Sequence, residues 1–331
     1  MIDFSAQKIL VRAFYDQLFD DPSAAFARYV APDALWRGFH PFNEIRDPKA
    51  VVAQFWQPLL TSLTRMQRRM DIFMAGHNRV QGQEDDVWVV SMGHLMGLFD
   101  APWLGIAPTG KLTMLRYCEF HRVAGDRIVE TAMYFDIPHV MIQAGLMPFA
   151  PQTGAHLVQP GPLTHDGLMY QARSPQEGDQ TWAVIDAMIN DLGTWQSGLP
   201  LEEELARTWR DDMLWWGPAG IGSSYTIERY AKQHSGPFRA AFSDRSKTQH
   251  ICRLAEGAYG GFFGWPNFTA RHDGGFMGMP ASEGRGEMRV IDMYRRDGDK
   301  LAENWIFMDV LHFWKGLGVD ILERMQQVPR T

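Results

Sequence analysis

Apolar positions change period several times along the chain, and each change marks an element. From about Ser5 to Phe19, Leu10, Phe14 and Leu18 recur at helical spacing, with Ser5 placed to cap the first turn. A shorter helix is predicted over Ser23–Tyr29, then a short strand through Leu35–Trp36. RDPKAVVAQFW opens another helix, with Asp47 as cap and Pro48 in the first turn. Four strands are expected near 66–77, 87–97, 112–123 and 127–137, the last two joined by the glycine hairpin VAGDR.

The same order then returns. TWAVIDAMINDL and LEEELARTW read as helices, MLWW as a short strand and YTIERYAKQ as a helix. Strands follow near 247–256, 258–272, 286–297 and 300–311, the last pair joined by RRDGDK. At an offset of 173 residues, Arg116 meets Arg289, Glu119 meets Asp292, Arg122 meets Arg295 and Gly125 meets Gly298. Glu130 meets Glu303, Asp136 meets Asp309, His139 meets His312 and His77 meets His250 in the same register. Upstream the offset is 179, pairing Trp36 with Trp215, Gln54 with Gln233 and Pro58 with Pro237. Two registers held over such lengths indicate a duplicated unit, six residues shorter in the second copy between Pro237 and His250. The expected division is 1–147, a Pro-, Gly- and Gln-rich linker at 148–178 packed on the surface, and 179–331. Helices followed by consecutive antiparallel strands define an α+β unit, a curved sheet wrapped around helices with a pocket at its concave mouth.

Composition narrows the partners. A net charge of −7 opposes electrostatic binding of nucleic acid. No apolar run is long enough to span a bilayer, and MIDFSAQKILVRAF reads as an amphipathic helix rather than a leader. The two cysteines, Cys118 and Cys252, form no metal or disulfide pattern and are expected as buried thiols in a reducing cytosol. Twelve Trp and 20 Phe supply both a core and ring surface for a small-molecule ligand.

GIAPTGKLTMLRYCEFHRVAGDRIVETAMYFD, at 105–136, resembles the C-terminal signature of SnoaL-like polyketide cyclases. MPASEGRGEMRVIDMYRRDGDKLAENWIFMD, at 279–309, is similar, with Glu283-Gly284-Arg285 in place of Thr109-Gly110-Lys111. IQAG at 142–145 resembles the family's short ending, whereas the second copy has KGLG. The resemblance covers about 25–155 and 195–318 and implies a nuclear-transport-factor-2-like cone, a fold that hosts cyclases, isomerases, epoxide hydrolases and binders. It further implies that the fused pair imitates a dimer within one chain, compatible with further homo-oligomers. In such cyclases the late aspartate shuttles a proton without metal or organic cofactor.

Strand alternation places Glu130, Ala132, Tyr134 and Asp136 on one face, and Glu303, Trp305, Phe307 and Asp309 on its equivalent. If that face lines the pocket, Asp136 and Asp309 are the desolvated general acid–base residues, with His139 and His312 beside them. The same aspartates could instead cap the helices that follow. His121 could face the first pocket, where the second copy has Tyr294. Arg116/Arg289, Arg122/Arg295 and Glu130/Glu303 read as cross-strand salt bridges, although the resemblance to epoxide hydrolases would give Arg116 a part in an Asp–Arg–Asp set. His77 and His250 read as strand-edge residues, and GPAGIGSS at 217–224 as a rim loop lacking the P-loop lysine. Trp36, Trp103, Tyr134, Trp215, Phe276, Trp305 and Phe307 are the expected ligand-stacking rings. No metal-ligand spacing stands out. Two functions follow: a cofactor-independent cyclase- or isomerase-type enzyme on an apolar, aromatic or polycyclic molecule, or a binding protein without turnover.

Overall fold

The strands form close to where the alternation places them. The structure is a computed structural model that describes residues 3–194 and 198–328. The chain divides into two compact units. One holds the residues up to Leu146, Pro160–Ala172 and those from Leu322 on; the other holds Met147–Gln159 and Arg173–Ile321. The expected linker is thus shared out. Leu168 forms a bridge with Phe73 in the first unit, and Ala155 with Ser223 in the second.

In the first unit, helices Ser5–Leu18 and Pro22–Tyr29 precede six strands. These are β1 (Val30–Gly38), β2 (Asn43–Ile45), β3 (Leu63–His77), β4 (Val87–Phe99), β5 (Leu112–Ala124) and β6 (Arg127–Phe135). Their order is β2-β1-β6-β5-β4-β3, antiparallel except where β1 runs parallel to β6. The first helix buries Val11, Phe14, Tyr15 and Leu18. Its start differs from the expectation: Ser5 is already helical, Phe4 holds the cap position without a side-chain cap bond, and the Ser5 N–H is accepted by Asp3 Oδ1 at 2.8 Å. Asp47 caps the next helix as expected, through the Lys49 N–H at 2.9 Å. Register shifts between β3 and β4 at Thr64/Gln67 and Met70/Ile72 are bulges, and bulges bend a sheet.

The second unit repeats the plan. Helix Pro175–Thr194 and the short helix Leu201–Leu205 precede β7 (Trp209–Trp216) and β8 (Ser224–Tyr225). Then come β9 (Phe242–Lys247), β10 (His250–Glu256), β11 (Tyr259–His272), β12 (Arg285–Asp297) and β13 (Lys300–Met308). Their order, β10-β11-β12-β13-β7-β8 with β9 also on β11, is that of the first unit with β3 split in two.

Details of the repeat coincide. In β1/β6, Leu35 faces Glu130 and Trp36 faces Thr131; in β7/β13, Leu214 faces Glu303 and Trp215 faces Asn304. Each helix before the long strands contains a π turn, Val52–Trp56 in one unit and Ala231–Ser235 in the other. The hairpins close on Gly125 at φ 58° and Gly298 at φ 61°, a region that glycine enters without penalty. The duplication therefore reaches turns and register. No described helix is long and apolar enough to cross a membrane.

Candidate functional site

Strand parity decides which residues can meet a ligand. In the second unit a cavity of about 220 Å³ opens between the sheet and the helices. From β13 it is lined by Asn304, Ile306 and Met308, so Trp305, Phe307 and Asp309 belong to the other face. The inward register expected for Asp309 is corrected accordingly: both faces of β13 are buried, and a period of two cannot tell them apart. From β12 the lining includes Val290, Asp292 and Tyr294.

Asp292 is the acid of this cavity. It is 7% exposed, and its Oδ1 accepts the Asn304 Nδ2–H at 3.0 Å. Burial pushes its carboxyl up to about 7, against the opposing hydrogen bonds from Asn304 and Tyr294. Tyr294 and Tyr230 are in turn held above the ordinary phenol range by burial and by the nearby Asp292 charge. On the helix side, His234 stacks on Trp215 with centroids 3.9 Å apart. Burial lowers its imidazole to about 3, so the ring is neutral at physiological pH. Arg239, bound to Glu204 at 2.5 Å, and Arg245, whose guanidinium lies 5.1 Å from the Phe268 ring, also line the cavity. His250 belongs to it too, stacked on Phe262 at 4.2 Å.

The equivalent interior of the first unit is occupied by its own side chains. Arg68 is ion-paired with Glu119, and its guanidinium sits 3.7 Å from the Tyr15 ring and 4.6 Å from that of Tyr117. His121 is locked between the Tyr15 hydroxyl at 2.8 Å and Thr131 Oγ1 at 2.9 Å. Burial alone would raise the Glu119 carboxyl, but Arg68 and His121 bring it down to about 2. At the offset of 173, Glu119 becomes Asp292, His121 becomes Tyr294 and Thr131 becomes Asn304. Arg68 lies between Pro58 and His77, the stretch whose counterpart is shortened by six residues.

The remaining expected residues have structural surroundings. Asp136 caps helix Ile137–Gln143, accepting the His139 N–H at 3.0 Å, and lies 3.6 Å from Arg116. Asp309 caps Val310–Gly316 through the His312 N–H at 3.1 Å and lies 3.5 Å from Arg289. His139 is buried in that first turn, and His312 reaches Glu287 at 3.3 Å. Tyr134 packs on Phe39 at 4.4 Å, Trp36 on Phe55 at 5.1 Å and Trp103 on Phe42 at 6.5 Å. Phe276 packs against Phe238 and Phe242 behind the cavity wall, and of the expected rings Trp215 lines it. The loop after β7 is tied down by the Gly154 N–H to the Ile221 carbonyl at 2.8 Å and Gln159 Nε2 to the Gly217 carbonyl at 2.6 Å. Arg122 and Arg295 do pair with Glu130 and Glu303, at 3.3 and 2.5 Å. Among the described residues no three His, Cys, Asp or Glu side chains group closely enough to share a metal ion.

A first outcome follows from this geometry. Asp309→Asn keeps a capping side chain but removes the charge beside Arg289, so it should cost roughly 1–3 kcal/mol in urea unfolding. Small-molecule binding in the cavity should be unchanged in this variant, and a variant that folds stably but binds differently would return Asp309 to the site.

Solved structures similar to this chain include an NTF2-like protein from Burkholderia thailandensis E264, at 22% identity over 44% of this chain and 98% of that one, TM-score 0.32. IdmH of Streptomyces antibioticus, a candidate polyketide cyclase, shares 20% identity over 42% and 99%, TM-score 0.32. An LEH-like epoxide hydrolase of M. tuberculosis shares 14% over 44% and 95%, TM-score 0.32. No curated protein matches the chain. Residues 11–131 match the family model of the SnoaL-like domain.

Proposed function

We propose that the second unit is the working site, binding a small, mainly apolar molecule and moving a proton on it through Asp292 in a cyclase- or isomerase-type reaction. One observation carries the reading: a buried carboxyl, raised to about 7, lines a ligand-sized cavity with apolar walls. Such an acid is half-ionised at neutral pH. It can take a proton from an acidic C–H and return it elsewhere, and this match of pKa to working pH is where acid–base catalysis is most efficient. Asn304 and Tyr294 fix the carboxyl's orientation by hydrogen bonding. Trp215, Phe238, Phe262 and Phe268 supply the ring-lined walls that would hold a flat ligand and exclude water. The match of residues 11–131 to the SnoaL-like domain supports a small-molecule role in general, and the residues at the second unit's cavity would give that role its chemistry.

The test uses a simple bicyclic ketone, 2-tetralone, and follows exchange of its α-hydrogens for deuterium by proton NMR. The protein-dependent rate should rise through an inflection near pH 7 and then level off, because the ionised form of Asp292 is the base. A rate with no inflection between pH 5 and 9 after subtraction of the solvent reaction would count against the assignment.

A further inference from the structure

His234 has no role in the proton transfer just described, yet the structure places it at the same cavity. It is 6% exposed, and its Nδ1 has no hydrogen-bond partner among the described residues. Its surroundings are rings: Trp215 at 3.9 Å, Phe238 at 5.4 Å, Tyr230 at 5.5 Å and Phe276 at 6.4 Å. A buried imidazole nitrogen left unsatisfied is costly, so such groups call for an explanation beyond packing. The repeat sharpens the point. At the offset of 179 the first unit has Phe55, which packs on Trp36 much as His234 packs on Trp215. An apolar ring therefore fits this place in the fold, and the second unit has a polar one instead. His234 also lies on the π turn Ala231–Ser235, and such turns are frequent at functional sites.

We infer that His234 is a catalytic hydrogen-bond donor of this site, and that the substrate is an enolisable carbonyl compound whose oxygen meets the imidazole while its acidic C–H meets Asp292. The inference rests on the Asp292 reading. In the step, the Asp292 carboxylate takes the proton: the C–H bond breaks, an O–H bond forms, and the electron pair moves onto the carbonyl oxygen as an enolate. The neutral imidazole donates its N–H to the developing oxyanion. The protonated Asp292 then returns its proton to carbon. Electrons and atoms balance without a further reactant. A neutral imidazole suits the task because it donates without being a cation, and the aromatic surroundings that keep it neutral also keep water from competing for the enolate oxygen.

The experiment is deuterium exchange into 2-tetralone by the full chain, comparing His234→Phe, His234→Gln and Asp292→Asn. His234→Phe installs the residue that the first unit carries at this position, so the fold should tolerate it. The expected result is a fall of about 100-fold in kcat with KM little changed, partial recovery in His234→Gln through its amide donor, and an inflection near pH 7 that persists in both. Exchange by His234→Phe at the wild-type rate, with Asp292→Asn inactive, would overturn the role of His234 and leave the Asp292 reading standing. Wild-type protein without exchange, or Asp292→Asn with full exchange, would overturn both.

Discussion

Replacing Asp292 by Asn should lower cavity-dependent proton exchange by roughly 10²–10⁴-fold while making the protein more stable at neutral and alkaline pH. Asn304 and Tyr294 would retain a hydrogen-bonding neighbour of nearly the same shape, so the loss would be of the proton carrier. The stability gain has a definite sign. The folded-state pKa of about 7 lies above the ordinary carboxyl value near 4, so the folded protein holds the proton more tightly than the unfolded chain. The favourable contribution is complete below about pH 4 and is lost as pH rises through about 7, a span worth on the order of 3–4 kcal/mol. Asn, which never ionises, should remove that slope. Urea midpoints of wild type and variant between pH 4 and 8 would show it, and parallel curves would mean that Asp292 is solvated.

Removing Arg68 should have the largest effect on the first unit. Arg68→Ala leaves the Glu119 carboxylate, 1% exposed, without its cation, and breaking a buried pair in this way typically costs about 3–5 kcal/mol. Two aromatic faces, Tyr15 and Tyr117, lose the guanidinium packed against them as well. The linkage has the opposite sign to that of Asp292. The Glu119 pKa is depressed, so its contribution is present above the ordinary value near 4 and is lost as pH falls through about 2. Arg68→Met combined with Glu119→Gln removes both charges and should recover most of the loss, since an apolar replacement of a buried ion pair is often neutral. A calorimetric scan in which Arg68→Ala melts like wild type would contradict the account of that interior.

These two outcomes express one difference between duplicated units. Each has an acid at the same β-strand position, Glu119 or Asp292, but one acid is neutralised by an arginine from β3 and the other meets a cavity. The six-residue shortening before His250 falls in the stretch that delivers Arg68 in the first unit.

Much of this architecture was open to inspection in the sequence. The two offsets located the repeat, the glycine hairpins set the pairing of β5 with β6 and of β12 with β13, and the alternation placed the long strands. The choice of face was not open in the same way. On β13, Trp305 and Phe307 are as apolar as Ile306 and Met308, and all but the half-buried Ile306 are buried. Asp309 drew attention because it ends the strand, and there it serves the next helix as a cap. A signal for the correct face did exist. Arg295 pairs with Glu303 directly across the hairpin, which puts Asp292, Tyr294, Asn304 and Ile306 together on the opposite side. Substitution between the copies, Phe55 to His234 and His121 to Tyr294, also marks the positions where the interiors diverge. The role of Arg68 could not be read from spacing, because it depends on bulges that re-aim β3.

The central claim is that Asp292 is a titrating carboxyl inside a ligand cavity. Carbon-13 NMR of the side-chain carboxyls, assigned with Asp292→Asn and followed from pH 3 to 9 with and without 2-tetralone, tests it most directly. The account predicts that the Asp292 carbon titrates near 7 and moves when the ketone is added. Titration near 4 with no response to the ketone would contradict it.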